Sequence, residues 1–181
     1  MGRAIDPLIP RAMRNRATAK AQQWVLERLN GEGGLGAIFP AMVNALEVLV
    51  LMGVPPTDPR RVTAKRAIDD LLVVGAQEAY CQPCMSPVWD TALAAHALME
   101  AGEKVDAALS WLKPLQVLDI KGDWADRRPD VRPGGWAFQY NNAYYPDLDD
   151  TAVVAMAMDR ARRDRPGDDR YDMAIDRAVE W

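Results

Sequence analysis

Apolar residues recur at helical spacing along most of the chain, and loops rich in Pro, Gly and Asp separate them. This pattern predicts seven helices, at residues 18–29, 39–52, 63–74, 91–101, 106–111, 151–162 and 171–181. Strict alternation of apolar and polar residues, which is typical of a half-buried strand, never lasts long enough to compete. We therefore predict an all-helical fold.

The predicted helix at residues 39–52 is apolar almost all the way round. Such a helix is either deeply buried or faces lipid. Burial inside a helical barrel is the simpler interpretation, because the segment lacks the Lys and Arg rim of a helix that lies on a membrane surface. A lipid-facing role stays open as the second interpretation.

The chain contains internal repeats. An Ala-x-x-Trp pattern occurs at residues 21–24, 108–111 and 178–181, and the Asp-Thr-Ala sequence at 90–92 recurs at 150–152. A recurring pair of helices that cannot bury its apolar face alone predicts a stacked array, which curves into a solenoid or closes into an α/α barrel. No capping residue follows the last repeat, so we expect the chain to be a slice of a longer polypeptide.

Composition and charge exclude several classes of protein. With 181 residues, 49% of them apolar, the chain can build a hydrophobic core. Its net charge of -4 offers no basic field for nucleic acid, and no apolar run is long enough for a spanning helix. Cys81 and Cys84 are too few for a disulfide framework, and their C-x-x-C spacing lacks a second pair of ligands, so we interpret it as incidental.

The segment from residue 124 to residue 152 combines aromatic rings with acids. Three carboxylates follow six aromatic residues: Asp147, Asp149 and Asp150 come after Trp124, Trp136, Phe138, Tyr140, Tyr144 and Tyr145. The simpler interpretation is that an Asp caps the next helix and the rings form core. Alternatively, three crowded carboxylates cannot all ionise cheaply when partly buried, so at least one holds a proton near neutral pH. An acid that faces aromatic rings can start a carbocation reaction, because the rings stabilise the cation without reacting with it.

These motifs resemble those of the squalene-hopene cyclase family. The sequence GGWAFQYNNAYYPDLDDTA, residues 134–152, is similar to the core of these enzymes and contains their D-x-D-D-T-A acid motif. SPVWDT at residues 86–91, with AYCQPC before it, is similar to a second segment. WLKPLQVLDIKGDW at residues 111–124 resembles a Gln-Trp repeat, and residues 24–35 resemble a degenerate copy.

The resemblance implies a fold and an architecture. Family members are built from two α/α barrels, or toroids, of helical-hairpin repeats with Gln-Trp motifs. Residues 1–83 would belong to the first barrel and residues 84–181 to the catalytic barrel, and both are incomplete in this chain.

The resemblance also implies an activity, the proton-initiated cyclisation of squalene to hopene, with some hopanol where water captures the last cation. It makes Asp149 the proton donor, and Asp147 and Asp150 its supporting carboxylates. Trp89, Phe138 and Tyr145 would line the cavity and stabilise cations or substrate.

Several further expectations come from the resemblance. Family members need no metal or organic cofactor. They are monotopic membrane proteins that draw squalene from the bilayer, which places this chain at the cytoplasmic face of the cell membrane, and a homodimer is one open assembly. We expect no nucleic-acid partner.

One family component is missing from the sequence. In the family a His after the acid motif strengthens the donor acid, whereas the chain has only His96, which precedes the motif in a predicted helix. We interpret His96 as a packed, half-buried helix residue, and we expect the chain alone to have little or no activity.

Two alternative functions stay open. A class II diterpene cyclase uses the same D-x-D-D acid on a prenyl diphosphate, and would need Mg²⁺ and a basic cluster, for which Arg127, Arg128 and Arg132 are candidates. A non-catalytic helical-repeat scaffold would bind a partner on its concave face, but it leaves the acids beside the aromatic rings unexplained.

Overall fold

The structure, a computed structural model, describes residues 9–139 and 142–181. Seven α-helices form the described part of the chain: α1 (Arg11–Glu27), α2 (Phe39–Leu51), α3 (Pro59–Asp69), α4 (Pro87–Glu100), α5 (Asp106–Leu112), α6 (Leu148–Arg163) and α7 (Asp172–Glu180). Two short antiparallel pairs accompany them, β1 (Leu72–Val74) with β2 (Ala79–Cys81) and β3 (Trp136–Ala137) with β4 (Pro146–Asp147). Each predicted helix is present, and the mainly helical fold is confirmed.

The predicted helix at residues 63–74 was wrong at its C-terminal end. Helix α3 begins earlier, at Pro59 behind the Asp58 cap, and ends at Asp69. Leu72, Val73 and Val74 instead form β1, which pairs with Cys81, Tyr80 and Ala79 of β2. Two adjacent valines before a glycine favour an extended strand and a turn over a helix. The pattern lacks alternation because the hairpin is exposed on both faces.

The larger core lies in the second half of the chain. Helices α4 and α6 pack through small side chains, since Ala92, Ala95 and Ala157 are each completely buried. Small residues allow the two backbones to approach closely, as the repeated Asp-Thr-Ala openings predict. Trp136 and Leu112 complete the buried centre of this cluster. A smaller core of Met42, Ala67 and Leu71 joins α2 to α3.

The Gln-Trp repeat residues make specific contacts. The buried Gln116 side chain donates hydrogen bonds to the carbonyl oxygens of Gly134 (2.7 Å) and Ala174 (2.8 Å). Trp124 packs edge-on against Trp181, with ring centroids 5.7 Å apart. Gln116 therefore ties the segment before β3 to helix α7, and the tryptophan pair links the loop at Trp124 to the end of α7.

Helix α2 is buried on one side only. Met42, Ala45 and Leu49 face the interior, whereas Leu51 is 83% exposed and Val50 is 45% exposed. No helix among the described residues is both long enough and apolar enough to cross a membrane.

Candidate active site

The acid motif forms the first turn of α6. Asp147 caps the helix, because its Oδ1 accepts a hydrogen bond from the backbone N–H of Asp150 at 2.8 Å. The Thr151 hydroxyl donates to the carbonyl oxygen of Asp147 (2.6 Å) and accepts from the backbone N–H of Trp136 (2.9 Å). Thr151 therefore fixes the turn to strand β3.

Strand β3 can lie this close to the helix because of Gly135. A Cβ atom at Gly135 would come within 2.8 Å of the Thr151 hydroxyl and of the Trp181 ring. The glycine pair before Trp136 therefore allows the strand, the acid turn and the end of α7 to meet.

The three carboxylates have different surroundings. Asp150 is 2% exposed, and its Oδ1 has no hydrogen-bond partner among the described residues. Asp147 is half-buried and Asp149 is exposed. Burial raises the pKa of Asp150 to about 8, with further contributions from the Asp147 side chain and from the negative charges of Asp147 and Asp149. Burial therefore favours the protonated form of Asp150 near neutral pH.

An apolar cavity of about 720 Å³ opens beside the acid turn. Asp147, Phe138 and Tyr145 contribute to its wall, as do Trp24 and Trp124. The cavity is also lined by Ile38, the residue before helix α2, and by Ala41, Asn44, Ala45 and Val48 of that helix. The cavity can therefore hold an apolar molecule against several aromatic rings, with a carboxylate at its edge.

The structure brings together only some of the predicted site residues. Phe138, Tyr145 and Asp147 share the cavity wall, and Asp149 and Asp150 lie in the adjoining turn without lining it. Trp89 is half-buried in the first turn of α4 and is not among the described lining residues. Tyr140 lies outside the described residues.

Comparison with known proteins decides the family. A family model described as the squalene-hopene cyclase C-terminal domain matches residues 85–181, and one described as the N-terminal domain matches residues 1–77. The chain belongs to the squalene-hopene cyclase family. Its helical hairpins are pieces of the α/α barrels of that family.

Similar proteins from several organisms are named squalene-hopene cyclases. The chain is 59% identical to a squalene–hopene cyclase of Bradyrhizobium diazoefficiens, over 99% of the chain and 28% of that protein. It is 52% identical to one of Zymomonas mobilis, over 98% of the chain and 29% of that protein. A squalene-hopene cyclase of Schizosaccharomyces japonicus is 45% identical over 99% of the chain and 28% of its own length. The chain thus spans little more than a quarter of these relatives.

Other candidate residues of the chain have ordinary structural roles. His96 is half-buried, and its Nε2 lies 3.0 Å from the carbonyl oxygen of Val153, so the interpretation as a packed helix residue is confirmed. Cys81 and Cys84 are free thiols. Residues 9–139 and 142–181 contain no cluster of three His, Cys, Asp or Glu side chains that could hold a metal ion.

The sequence pattern did not predict part of the cavity wall or the ion pair that contacts it. Helix α2 was predicted, but nothing indicated that its Ala41, Asn44 and Val48 face the aromatic segment. Arg28 and Asp123 were also missed, although they form an ion pair behind the wall. Both are ordinary charged residues in the sequence, and only their meeting in space distinguishes them.

Replacing Asp150 by Asn should stabilise the chain at neutral and higher pH. The pKa of Asp150 is about 8 in the folded state, against an ordinary value of 3.8, so the folded state binds more protons between these values. The free energy of unfolding therefore falls as the pH rises through this window, and an uncharged Asn removes that dependence. At about pH 8 we expect a melting temperature at least about 2–4 °C above that of the unchanged chain, equivalent to about 1 kcal/mol.

Differential scanning calorimetry at about pH 8 and about pH 4 checks this expectation, since the difference should shrink at the lower pH. The exposed Asp119 supplies the control, because Asp119→Asn should change stability little at either pH. A difference that does not change with pH would show that Asp150 is ionised in the folded chain.

Proposed function

We propose that the chain forms part of the active-site cavity of an enzyme that cyclises squalene to hopene, with some hopanol. The observation that carries this proposal is the acid turn at the edge of an aromatic-lined apolar cavity. A hydrocarbon without polar groups can be held only by shape and apolar contact, which such a wall supplies. An acid is the one polar group that the first step needs.

We propose the order of events that the resemblance to the family implies, and assign its steps to the side chains of this chain. Asp149 donates a proton to the terminal double bond of squalene, and the remaining double bonds close rings in turn as each attacks the cation before it. The last cation loses a proton to give hopene, or it binds a water molecule that then loses a proton to give hopanol. The rings of Phe138 and Tyr145 in the cavity wall, and that of Trp89, stabilise cationic centres on the way.

The three carboxylates divide the work in this proposal. Asp147 caps the helix and orients the turn, and Asp150 stays protonated beside it. A neutral Asp150 keeps one negative charge out of the turn. Asp149 lies on the exposed side of the turn, two residues after Asp147, which lines the cavity.

The chain's place in a larger enzyme is also a proposal. Residues 1–83 belong to the first barrel and residues 84–181 to the catalytic barrel, and separate core clusters on the two sides of this boundary support the division. The exposed apolar residues at the end of α2 support monotopic contact with a membrane, and the resemblance implies that this is the cytoplasmic face of the cell membrane. A homodimer is compatible with this arrangement.

The diphosphate-binding alternative has little support in the geometry. Arg128 pairs with Asp130, and Arg132 pairs with Glu180. Neither these residues nor Arg127 are among the described residues that line the aromatic cavity. A prenyl diphosphate would therefore find no described cation in the wall beside the acid turn.

Transplantation tests the proposed function. In a hybrid cyclase, this chain replaces the matching segment of the Bradyrhizobium diazoefficiens protein, to which it is 59% identical. We expect the hybrid cyclase to convert squalene to hopene without added Mg²⁺, measured by gas chromatography of extracted products. A folded hybrid that leaves squalene unchanged, or that turns over only a prenyl diphosphate with Mg²⁺, would overturn the proposal.

A further inference from the structure

A bidentate ion pair ties the end of α1 to a loop 95 residues further along the chain. Arg28 Nε donates to Asp123 Oδ2 at 3.0 Å, and Nη2 donates to Oδ1 at 2.5 Å. The Arg28 side chain is only 12% exposed. Two parallel hydrogen bonds at a largely buried position fix the orientation of the guanidinium and hold its positive charge against the carboxylate.

The same guanidinium lies against two aromatic rings. Its central carbon is 4.2 Å from the centroid of the Trp24 ring and 5.7 Å from that of Tyr144. Arg28 Nη1 also donates to the carbonyl oxygen of Trp24 at 3.1 Å. A lysine could keep the charge, but it could not fill a planar site between a carboxylate and a ring.

These rings belong to the cavity wall. Trp24, Tyr144 and Tyr145 all line the cavity, and the Trp24 and Tyr145 rings are 6.4 Å apart at a tilted angle. Tyr145 is followed at once by Pro146 and by Asp147, the cap of the acid turn. Arg28 thus contacts the rings of the cavity wall close to the residues that lead into the acid motif.

Further contacts hold the same stretch of chain from the first half of the protein. Asn30 Nδ2 donates to Asn142 Oδ1 at 2.9 Å, and the Tyr145 backbone N–H donates to the carbonyl oxygen of Asn142 at 2.9 Å. A Cβ atom at Gly122 would come within 2.0 Å of the carbonyl oxygen of Tyr144. The segment at residues 142–147 is therefore clamped between the residues after α1 and the loop that carries Asp123.

We propose that Arg28, held by Asp123, is a positioning residue that fixes the aromatic wall formed by Trp24, Tyr144 and Tyr145 and thereby the approach to the acid turn. The inference rests on the proposed cyclisation. Arg28 touches neither substrate nor acid in this role; it acts through the rings.

The charges around Arg28 agree with this role. Hydrogen bonding to Arg28 lowers the pKa of Asp123, so the pair stays ionised at neutral pH. The Tyr145 hydroxyl is buried beside Asp123 without a hydrogen bond of ordinary geometry. Burial, followed by the nearby carboxylate, raises the pKa of Tyr145 to about 12, so the ring stays neutral. Replacing Arg28 would leave the Asp123 carboxylate next to the wall without this partner, and replacing Asp123 would remove the bidentate pair that orients Arg28.

The 181-residue chain gives a first test that needs no enzymatic activity. Near-ultraviolet circular dichroism reports whether aromatic rings are held in fixed, asymmetric surroundings. We expect Arg28→Lys and Asp123→Asn each to weaken this signal while the far-ultraviolet spectrum keeps its helical shape. Arg66→Lys is the matched control, because the Arg66 side chain is 66% exposed, and it should change neither spectrum.

Kinetics of the hybrid cyclase give the second test. We expect Arg28→Lys to lower kcat for squalene by about 10- to 100-fold, because a displaced wall misplaces the reacting chain. The KM should change by less than about threefold, since apolar contact spread over the whole cavity supplies the binding. Products with fewer rings should increase, because a loose wall lets cations lose a proton early.

The outcomes separate the two proposals. If the unsubstituted hybrid cyclase leaves squalene unchanged, the proposed function fails, whatever the spectra show. If that hybrid is active, either of two results for Arg28→Lys overturns the positioning role. One is an unchanged kcat and product pattern in the hybrid, and the other is an unchanged near-ultraviolet spectrum of the 181-residue chain. A weaker near-ultraviolet signal together with the kcat loss at nearly constant KM supports it.

Discussion

Replacing Asp149 by Asn in the hybrid cyclase should lower the kcat for squalene by about 10²- to 10⁴-fold, the usual contribution of a general acid. The substitution keeps the size of the side chain and removes its proton. Asp149 lies on the exposed side of the helix turn, so the fold should be unaffected. Gas chromatography of products under single-turnover conditions, with circular dichroism of the variant, provides the measurement.

Two further variants make the Asp149 result specific. Asp119→Asn, at an exposed loop position, should retain full activity. Asp150→Asn should raise stability, because the carboxyl that it replaces is buried beside Asp147. It should also lower activity, because Asp150 is a supporting carboxylate in the proposed function. If Asp149→Asn stays active and Asp150→Asn is inactive, the donor is Asp150 and our assignment of Asp149 is wrong.

Replacing Trp136 by Ala should destabilise the 181-residue chain by about 3–5 kcal/mol, the range for truncating a large aromatic side chain in a core. Trp136 is completely buried, and its Nε1 donates to the carbonyl oxygen of Leu112 at 2.8 Å. Truncation leaves a cavity between β3, α5 and α6 and an unpaired carbonyl. The free energy of unfolding from denaturant titration measures the loss.

Trp111 supplies a matched control for this prediction. It is 40% exposed and undergoes the same chemical change in Trp111→Ala. We expect a loss below about 1 kcal/mol, because few packed contacts disappear. Equal losses at the two positions would mean that Trp136 is not the centre of the core.

The different burial of Asp149 and Asp150 in the first turn of α6 could be predicted partly from the sequence. The buried residues of α6 are Asp150, Thr151, Val154, Ala157, Met158 and Ala161, which follow helical spacing. Successive residues are rotated by about 100°, so Asp150 on the apolar face implies that Asp149 points elsewhere. The sequence pattern therefore contained the difference between the two acids, although the crowding argument alone treated them as equivalent.

The exposed hairpin of β1 and β2 could not be predicted from the local sequence pattern. Residues 72–74 continue the apolar pattern of the preceding helix, and the predicted helix ran on through them. They form β1 because Ala79, Tyr80 and Cys81 lie opposite them after a tight turn at Gly75. The choice between helix and strand at residues 72–74 depends on their pairing with residues 79–81. The periodicity of the preceding helical stretch carries no information about that partner.

The cavity depended still more on distant contacts. The acid motif and its aromatic residues are close in sequence, and the resemblance to cyclases identified them directly. Their partners on the other side of the cavity come from α1 and α2, about 100 residues earlier, and Arg28 meets Asp123 across 95 residues. No local pattern distinguishes Arg28 from the other arginines of the chain.

The sequence by itself determined the helices, the repeats, the acid motif and the family, because each of these depends on spacing within a short stretch of chain. Only the tertiary structure decided which carboxyl is buried with an oxygen that has no hydrogen-bond partner among the described residues, which rings share one cavity with Asp147, and which charged residues contact those rings. Burial and ion pairing are properties of surfaces that meet after folding. They raise the pKa of Asp150 and hold Arg28 against Trp24, and these effects give the segment its chemistry.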